Sequence, residues 1–132
     1  MREFKFRIWH GGEGYITNDF CAFSVTADGN IFNDEDYDIS DSVVLMQYTG
    51  KKDIEGKEIY ESDIVAYHRH EGAYYESTPV YKIGLVIWDD TSCSFRLKHN
   101  GGDPEKLHTS HRLKVVGNIF ENPELLGGEN NE

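Results

Sequence analysis

The histidines and cysteines are the residues of this chain whose chemistry best suits a metal ion. Among 132 residues there are two cysteines and six histidines, which include two close pairs, His68/His70 and His108/His111. A zinc site needs three or four converging ligands, whereas Cys21 and Cys93 each stand alone in the sequence. On a strand His68 and His70 would share a face, which leaves a metal site open as the alternative. The spacing favours histidines exposed in loops, and we predict no metal and no other cofactor.

Three acidic residues at alternate positions, Asp34, Asp36 and Asp38, have the spacing that begins a calcium-binding loop. Such a loop also needs glycine at its sixth position and glutamate at its twelfth. Counted from Asp34, these positions hold Ile39 and Leu45. The run is therefore predicted to be a solvated acidic loop.

The sequence contains no residue arrangement typical of an enzyme. Ser110 adjoins His111, and Cys93 could meet a histidine in the folded chain, but neither lies in a recognised nucleophile motif. The glycines of residues 11–14 lack the spacing and the following helix of a phosphate-binding loop. We therefore predict that the chain is not an enzyme.

The charge balance is strongly acidic, with 13 Lys and Arg against 24 Asp and Glu and a formal net charge of −11. Proteins that bind nucleic acid without specificity use Lys and Arg to neutralise phosphates, so this balance disfavours nucleic acid as a partner. A weak nucleic-acid-binding surface is the alternative, because one region is mildly enriched in basic residues. These are Lys51, Lys52, Lys57, Lys82, Arg96 and Lys98.

Membrane and export signals are absent from the sequence. No run approaches the roughly 20 apolar residues of a membrane helix. Residues 1–9 alternate charged and apolar side chains and lack the unbroken apolar segment of a signal peptide. These features predict a cytoplasmic protein with reduced cysteines and no membrane partner.

Apolar residues recur mostly with the period of two that is typical of strands. Predicted strands lie within 4–9, 15–17, 22–26, 43–48, 58–67, 80–88, 93–98 and 113–120, with loops at 68–79 and 99–106. Gly84 permits a bulge or a close backbone approach, and Asn118 is expected to satisfy backbone groups at a strand kink. Many short strands joined by turns predict a mainly β fold, either a small barrel or a compact sandwich.

Four regions of the chain, in order, resemble the YopX family of phage and prophage proteins. They are REFKFRIW at 2–9, LMQYTGKKD at 45–53 continuing in GKEIYESDIV at 56–65, GLVIWDD at 84–90, and VGNIFENPELL at 116–126. One position departs from the family pattern, because Ser62 stands where the family usually has glycine.

The resemblance implies a β-rich fold that contains an SH3-like barrel, and a phage or prophage origin, most often in a Gram-positive host. It implies no activity. On this basis we predict one compact domain over 1–126, with an N-terminal β module at 1–41, the barrel region at 42–126 and a flexible tail at 127–132.

Without a catalytic motif, the predicted role is a non-enzymatic accessory protein that binds a protein partner or a second copy of itself. The loops 33–41 and 68–79 are the expected variable surfaces. Candidate contact residues in them are His70, Tyr74, Tyr75, Asp34 and Asp36. An acidic decoy that occupies a host nucleic-acid-binding protein is the alternative, because such a decoy needs an excess of negative charge.

Overall fold

The computed structural model describes residues 3–18, 23–71, 78–99, 103–107 and 112–127, with the side chains of 68–71 and 78–81 outside that description. The strands are β1 (Phe6–His10), β2 (Tyr15–Thr17), β3 (Phe23–Val25), β4 (Ile31–Asn33), β5 (Val43–Lys52), β6 (Glu58–Tyr60), β7 (Asp63–Glu71), β8 (Thr78–Asp89), β9 (Ser94–Lys98), β10 (Glu105–Lys106) and β11 (Lys114–Asn118). Two 3-10 helices lie in the described residues, η1 (Ser40–Ser42) and η2 (Pro123–Leu126). The mainly β fold is confirmed.

The chain divides into two compact units, Met1–Tyr48 and Thr49–Glu132. In the first unit β1 pairs antiparallel with β2 on one side and with β5 on the other, so that Ile8 faces both Thr17 and Leu45. The strands β3 and β4 form a separate antiparallel hairpin. Ile8, Ile31 and Val43 form the buried cluster of this unit. Ile8 and Val43 lie on one face of the β1–β5 pair, and Ile31 of the hairpin belongs to the same buried cluster.

In the second unit five antiparallel strands form one sheet in the order β10-β9-β8-β7-β11, which curls into a half-barrel. Cross-strand partners share a face of a sheet, and the register pairs Val65 with Gly84 and Val86 with Leu97. This inner face holds the larger buried cluster, whose members are Ile59, Val65, Tyr67, Val86, Leu97, Leu107 and Leu113.

Two sequence predictions about local geometry in this sheet are confirmed. A Cβ atom at Gly84 would lie 3.2 Å from Cε1 of Tyr67, so glycine permits the Tyr67 ring to pack directly on the backbone of β8. The ladder between β11 and β7 is irregular between Val115 and Gly117. Just after this kink, Oδ1 of Asn118 accepts the backbone N–H groups of Phe120 and Glu121 at 3.0 and 2.9 Å.

Two predicted loops are shorter in the structure than in the sequence analysis. Residues 68–71 continue β7 and residues 78–79 begin β8, since His70 pairs with Pro79 and Glu71 with Thr78. Glu105 and Lys106 form β10 rather than part of a loop. In both places the predicted loop bounds were wrong because cross-strand pairing extends strands into polar residues that carry no alternating pattern.

Candidate interaction surfaces

The first candidate surface is the acidic turn, which we define as residues 33–38, directly after β4. The side chain of Asn33 organises it, because its Oδ1 accepts the N–H groups of Glu35 at 2.9 Å and Tyr37 at 3.0 Å. The backbone of Asn33 also donates to the Tyr37 carbonyl and accepts from the N–H of Asp36. Four hydrogen bonds centred on one residue fix the backbone of the turn locally.

Apart from Asn33, the side chains of the acidic turn are exposed. Asp34, Glu35 and Asp36 are exposed, and Tyr37 is exposed over 66% of its surface. Asp34 and Asp36, both predicted as contact residues, therefore lie beside an exposed aromatic ring. Asp38 differs from them, because hydrogen bonds from the hydroxyl and the N–H of Ser40 lower its pKa.

The second candidate surface is the basic edge, which we define as Arg96, Lys98 and Lys106. Leu97 is fully buried on the inner face of the sheet, so its neighbours Arg96 and Lys98 in β9 point to the outer face. Lys106 lies directly opposite Arg96 in the β9–β10 pairing and shares that face. Arg96 and Lys98, two of the basic residues singled out in the sequence, are thereby brought together.

The other basic residues of that predicted region do not join the basic edge. Lys82 pairs with the buried Tyr67, which puts it on the inner face of the sheet. Lys51 and Lys52 lie in β5, which is not a strand of the five-stranded sheet. Lys57 lies in the turn before β6, where its N–H donates to Asp53 at 2.9 Å.

The β8–β9 hairpin ends in a polar network beside the basic edge. The Ser92 hydroxyl donates to Asp89 at 2.6 Å, and Nε of Arg96 donates to the Ser92 and Ser94 oxygens at 3.0 and 3.2 Å. Hydrogen bonds from Ser92, with a smaller contribution from the charge of Arg96, hold the pKa of Asp89 below its usual value.

Trp88 lies at the base of the same hairpin. Its ring packs edge-on against Phe95, with 5.1 Å between the ring centroids, and 45% of its surface is exposed. Sequence analysis placed Trp88 in a strand, which is confirmed. The exposure of Trp88 could not be predicted from the sequence. Its ring lies on the same inner face as the buried cluster but is not a member of it.

A third group of polar side chains, which sequence analysis missed, lies on the inner face of the half-barrel. Oε2 of Glu105 accepts the hydroxyl of Tyr67 at 3.2 Å and lies 2.6 Å from Nε2 of His99. His99 and Glu105 are largely buried, with 13% and 16% of their side chains exposed. The group joins β7, β10 and the residue after β9, and it gives the buried phenol of Tyr67 a hydrogen-bond acceptor.

Several predicted site residues fall where the structure gives little or no description. The backbone of His70 lies in β7, but its side chain and that of His68 are outside the described residues, as are Tyr74, Tyr75, His108 and His111. In the described part of the chain, no three His, Cys, Asp or Glu side chains are grouped so that they could hold a metal ion.

These features define the class of protein: a mainly β protein whose second unit is a half-barrel sheet, with charged surfaces of opposite sign. Residues 5–127 match the family described as YopX protein. The chain therefore belongs to the YopX family.

One solved structure supports the same fold. The crystal structure of protein EF1440 from Enterococcus faecalis superposes with a TM-score of 0.60 over 96% of this chain and 100% of that chain, at 24% identity. At that identity the similarity shows the fold alone. No curated protein matches the chain.

No helix in the described part of the chain is both long enough and apolar enough to span a lipid bilayer.

Proposed function

We propose that this chain is a phage or prophage accessory protein of the host cytoplasm that acts by binding a protein and catalyses no reaction. The observation that carries this proposal is Tyr37, an aromatic side chain that is 66% exposed on a turn fixed by four hydrogen bonds around Asn33. Tyrosine is enriched among the residues that dominate interface energies. A turn that is already ordered loses little entropy when a partner binds.

Charge also supports a binding role for this turn. Asp34, Glu35 and Asp36 have no side-chain partner among the described residues of the protein. Exposed carboxylates of one sign steer an oppositely charged surface during encounter. The preferred partner surface is therefore basic, with an apolar or cationic group that can cover the Tyr37 ring.

The test is affinity capture from host lysate by the tagged wild-type protein and three variants, with elution at stepped salt concentrations. Tyr37→Ala removes the aromatic contact and Asp34→Asn/Asp36→Asn removes charge. Ile54→Ala is the matched control, because Ile54 is a similarly exposed apolar residue, 54% accessible, in the second unit. We expect one protein to be retained by wild type and Ile54→Ala, and at least tenfold less by the other two.

The elution profile separates this proposal from its alternatives. The acidic-decoy role would be supported if the wild type captures a nucleic-acid-binding protein that elutes at low salt. The charge variant Asp34→Asn/Asp36→Asn should then fail to capture that protein. A captured protein that is insensitive to both changes in the acidic turn would place the binding surface elsewhere. If wild type captures no protein and does not self-associate, the proposed function is wrong.

A further inference from the structure

We propose that the acidic turn of one copy binds the basic edge of a second copy of this chain. This inference rests on the proposed function and names the partner as the chain itself. Each copy carries both surfaces, with carboxylates at residues 34–36 and 38 and cations at Arg96, Lys98 and Lys106.

The basic edge places positive charges next to each other, an arrangement that does not stabilise the fold. Arg96 and Lys106 are directly opposite each other in an antiparallel pair, where like charges destabilise a sheet. Lys98 follows two residues after Arg96 on the same face. Lys98 and Lys106 are exposed and have no ion-pair partner among the described residues. An anionic partner would relieve this repulsion.

Acidic residues of the same unit compensate the basic edge only in part. Asp89 is close enough to Arg96 for that charge to lower its pKa, and Glu124 belongs to η2, which lies against β8. Neither carboxylate forms an ion pair with Lys98 or Lys106 in the described structure. The two lysines therefore provide the unpaired positive charge of this sheet face.

Apolar surface accompanies the charge on the outer face. Leu85 is opposite Lys98 and Ile87 is opposite Arg96, and both apolar side chains are only half-buried. Ile83, two residues before Leu85 on the same face, is 40% exposed. A tyrosine ring that enters between these residues and the lysines would bury apolar area and contact a cation at the same time.

Charge complementarity favours a second copy over nucleic acid as the occupant. The net charge of −11 opposes the approach of a polyanion and of a second copy alike. A second copy, however, presents only one short, preformed segment with three unpaired carboxylates and Tyr37, which matches a basic edge of three residues. The contact is small, so association should be weak and reversible. It should also weaken with salt, since the Debye length falls from about 10 Å at 0.1 M to about 3 Å at 1 M.

The test is sedimentation velocity of the full chain over a wide concentration range, at about 0.1 M and about 1 M salt. One variant, Lys98→Glu/Lys106→Glu, reverses the basic edge, and a second, Asp34→Lys/Glu35→Lys, reverses the acidic turn. Lys51→Glu/Lys52→Glu is the control, because it makes the same charge change at two lysines outside the five-stranded sheet. Circular dichroism establishes that every variant is folded.

We expect the wild type and the control to associate at low salt and to dissociate at high salt. Each reversed variant alone should associate at least tenfold more weakly. An equimolar mixture of the two reversed variants should associate again, because each supplies the charge that the other now requires. Restored association in the mixture is a result that general loss of stability cannot produce.

Three results would overturn the inference. They are a wild type that stays monomeric at all concentrations, a control as impaired as the reversed variants, or two folded variants that do not associate when mixed. If the monomer still captures a different protein through Tyr37, the proposed function survives without self-association. If a single-stranded oligonucleotide binds the wild type but not Lys98→Glu/Lys106→Glu, nucleic acid replaces the second copy as the occupant.

Discussion

The carboxylate of Asp53 accepts the backbone N–H of Val115 at 3.0 Å, across 62 residues of sequence. Its other oxygen accepts the N–H groups of Glu55 and Lys57 at 2.8 and 2.9 Å. One buried side chain therefore shapes the turn before β6 and attaches that turn to β11. Burial acts to raise the pKa of Asp53, but these backbone hydrogen bonds outweigh it and hold the pKa below its usual value.

Replacing Asp53 with asparagine should destabilise the fold by about 1–3 kcal/mol. The new amide NH2 would face the N–H of Val115, which needs an acceptor, or with the amide reversed it would face the N–H groups of Glu55 and Lys57, and both turn hydrogen bonds would be lost. Urea unfolding of Asp53→Asn measures the change. Asp90→Asn, at an exposed position in the β8–β9 turn, is the control and should change stability by less than about 0.5 kcal/mol.

Asp53 should also make stability depend on pH. A carboxyl whose pKa is lower in the folded state stabilises the fold above its unfolded pKa, near 3.9, and loses that contribution as pH falls through the folded pKa. Stability should therefore decline with acidification below about pH 4. Unfolding followed across this range should give a shallower decline for Asp53→Asn than for wild type. Parallel profiles would show that Asp53 is not the titrating group.

Ser62→Gly should stabilise the protein by about 1 kcal/mol. Ser62 has a φ of +74°, a left-handed conformation that is costly for a residue with a Cβ and open to glycine. Its backbone is held there by hydrogen bonds from its N–H to Val86 and from Ile119 to its carbonyl. Thermal unfolding measures the shift. Ser24→Gly, in the extended strand β3, is the matched substitution and should have the opposite sign.

Gly117→Ala should destabilise the protein by about 1–3 kcal/mol. A Cβ at this position would lie 2.5 Å from Oδ1 of Asn122, the oxygen that accepts the N–H of Asn118 at 3.2 Å. The side chain of Asn122 would have to move and release that N–H. Gly12→Ala provides the comparison in the same unfolding assay, because its Cβ would have no neighbour closer than 3.6 Å. Equal stability of the two variants would contradict the clash.

Tyr67→Phe should cost about 1 kcal/mol, because it removes the hydroxyl that Glu105 accepts while leaving the ring on Gly84. Tyr15→Phe, at a position 38% exposed, should be close to neutral when unfolded by urea under the same conditions. A Tyr67→Phe variant as stable as wild type would mean that the hydroxyl contributes nothing beyond what water supplies.

The strands were predictable because their signal is local. In β9 apolar and polar residues alternate and Leu97 is buried, whereas β8 is recognisable from its run of β-branched and aromatic residues. The roles of Gly84 and Asn118 were also predictable, since glycine within a strand and asparagine at a strand kink have few local roles.

The unpredicted features depend on register. Arg96 and Lys106 are ten residues apart in sequence and become neighbours only through the β9–β10 pairing, in a segment that sequence analysis treated as a loop. Glu105 meets Tyr67 across 38 residues. The pattern of polar residues does not predict which distant residue each one contacts. The pattern of apolar residues predicts at least which face of the sheet they lie on. The acidic turn was found because its residues are consecutive.

The turn that Asp53 organises also closes one side of the half-barrel sheet. Ile54 donates its N–H to the carbonyl of Leu113, and Asp53 accepts the N–H of Val115, so these two backbone groups at the start of β11 are already occupied. A foreign strand cannot add at these positions without first displacing the turn. Asp53 thereby hinders the addition of a strand from another molecule at the β11 edge of the sheet. Loss of its side chain should favour amyloid-like aggregation as well as unfolding.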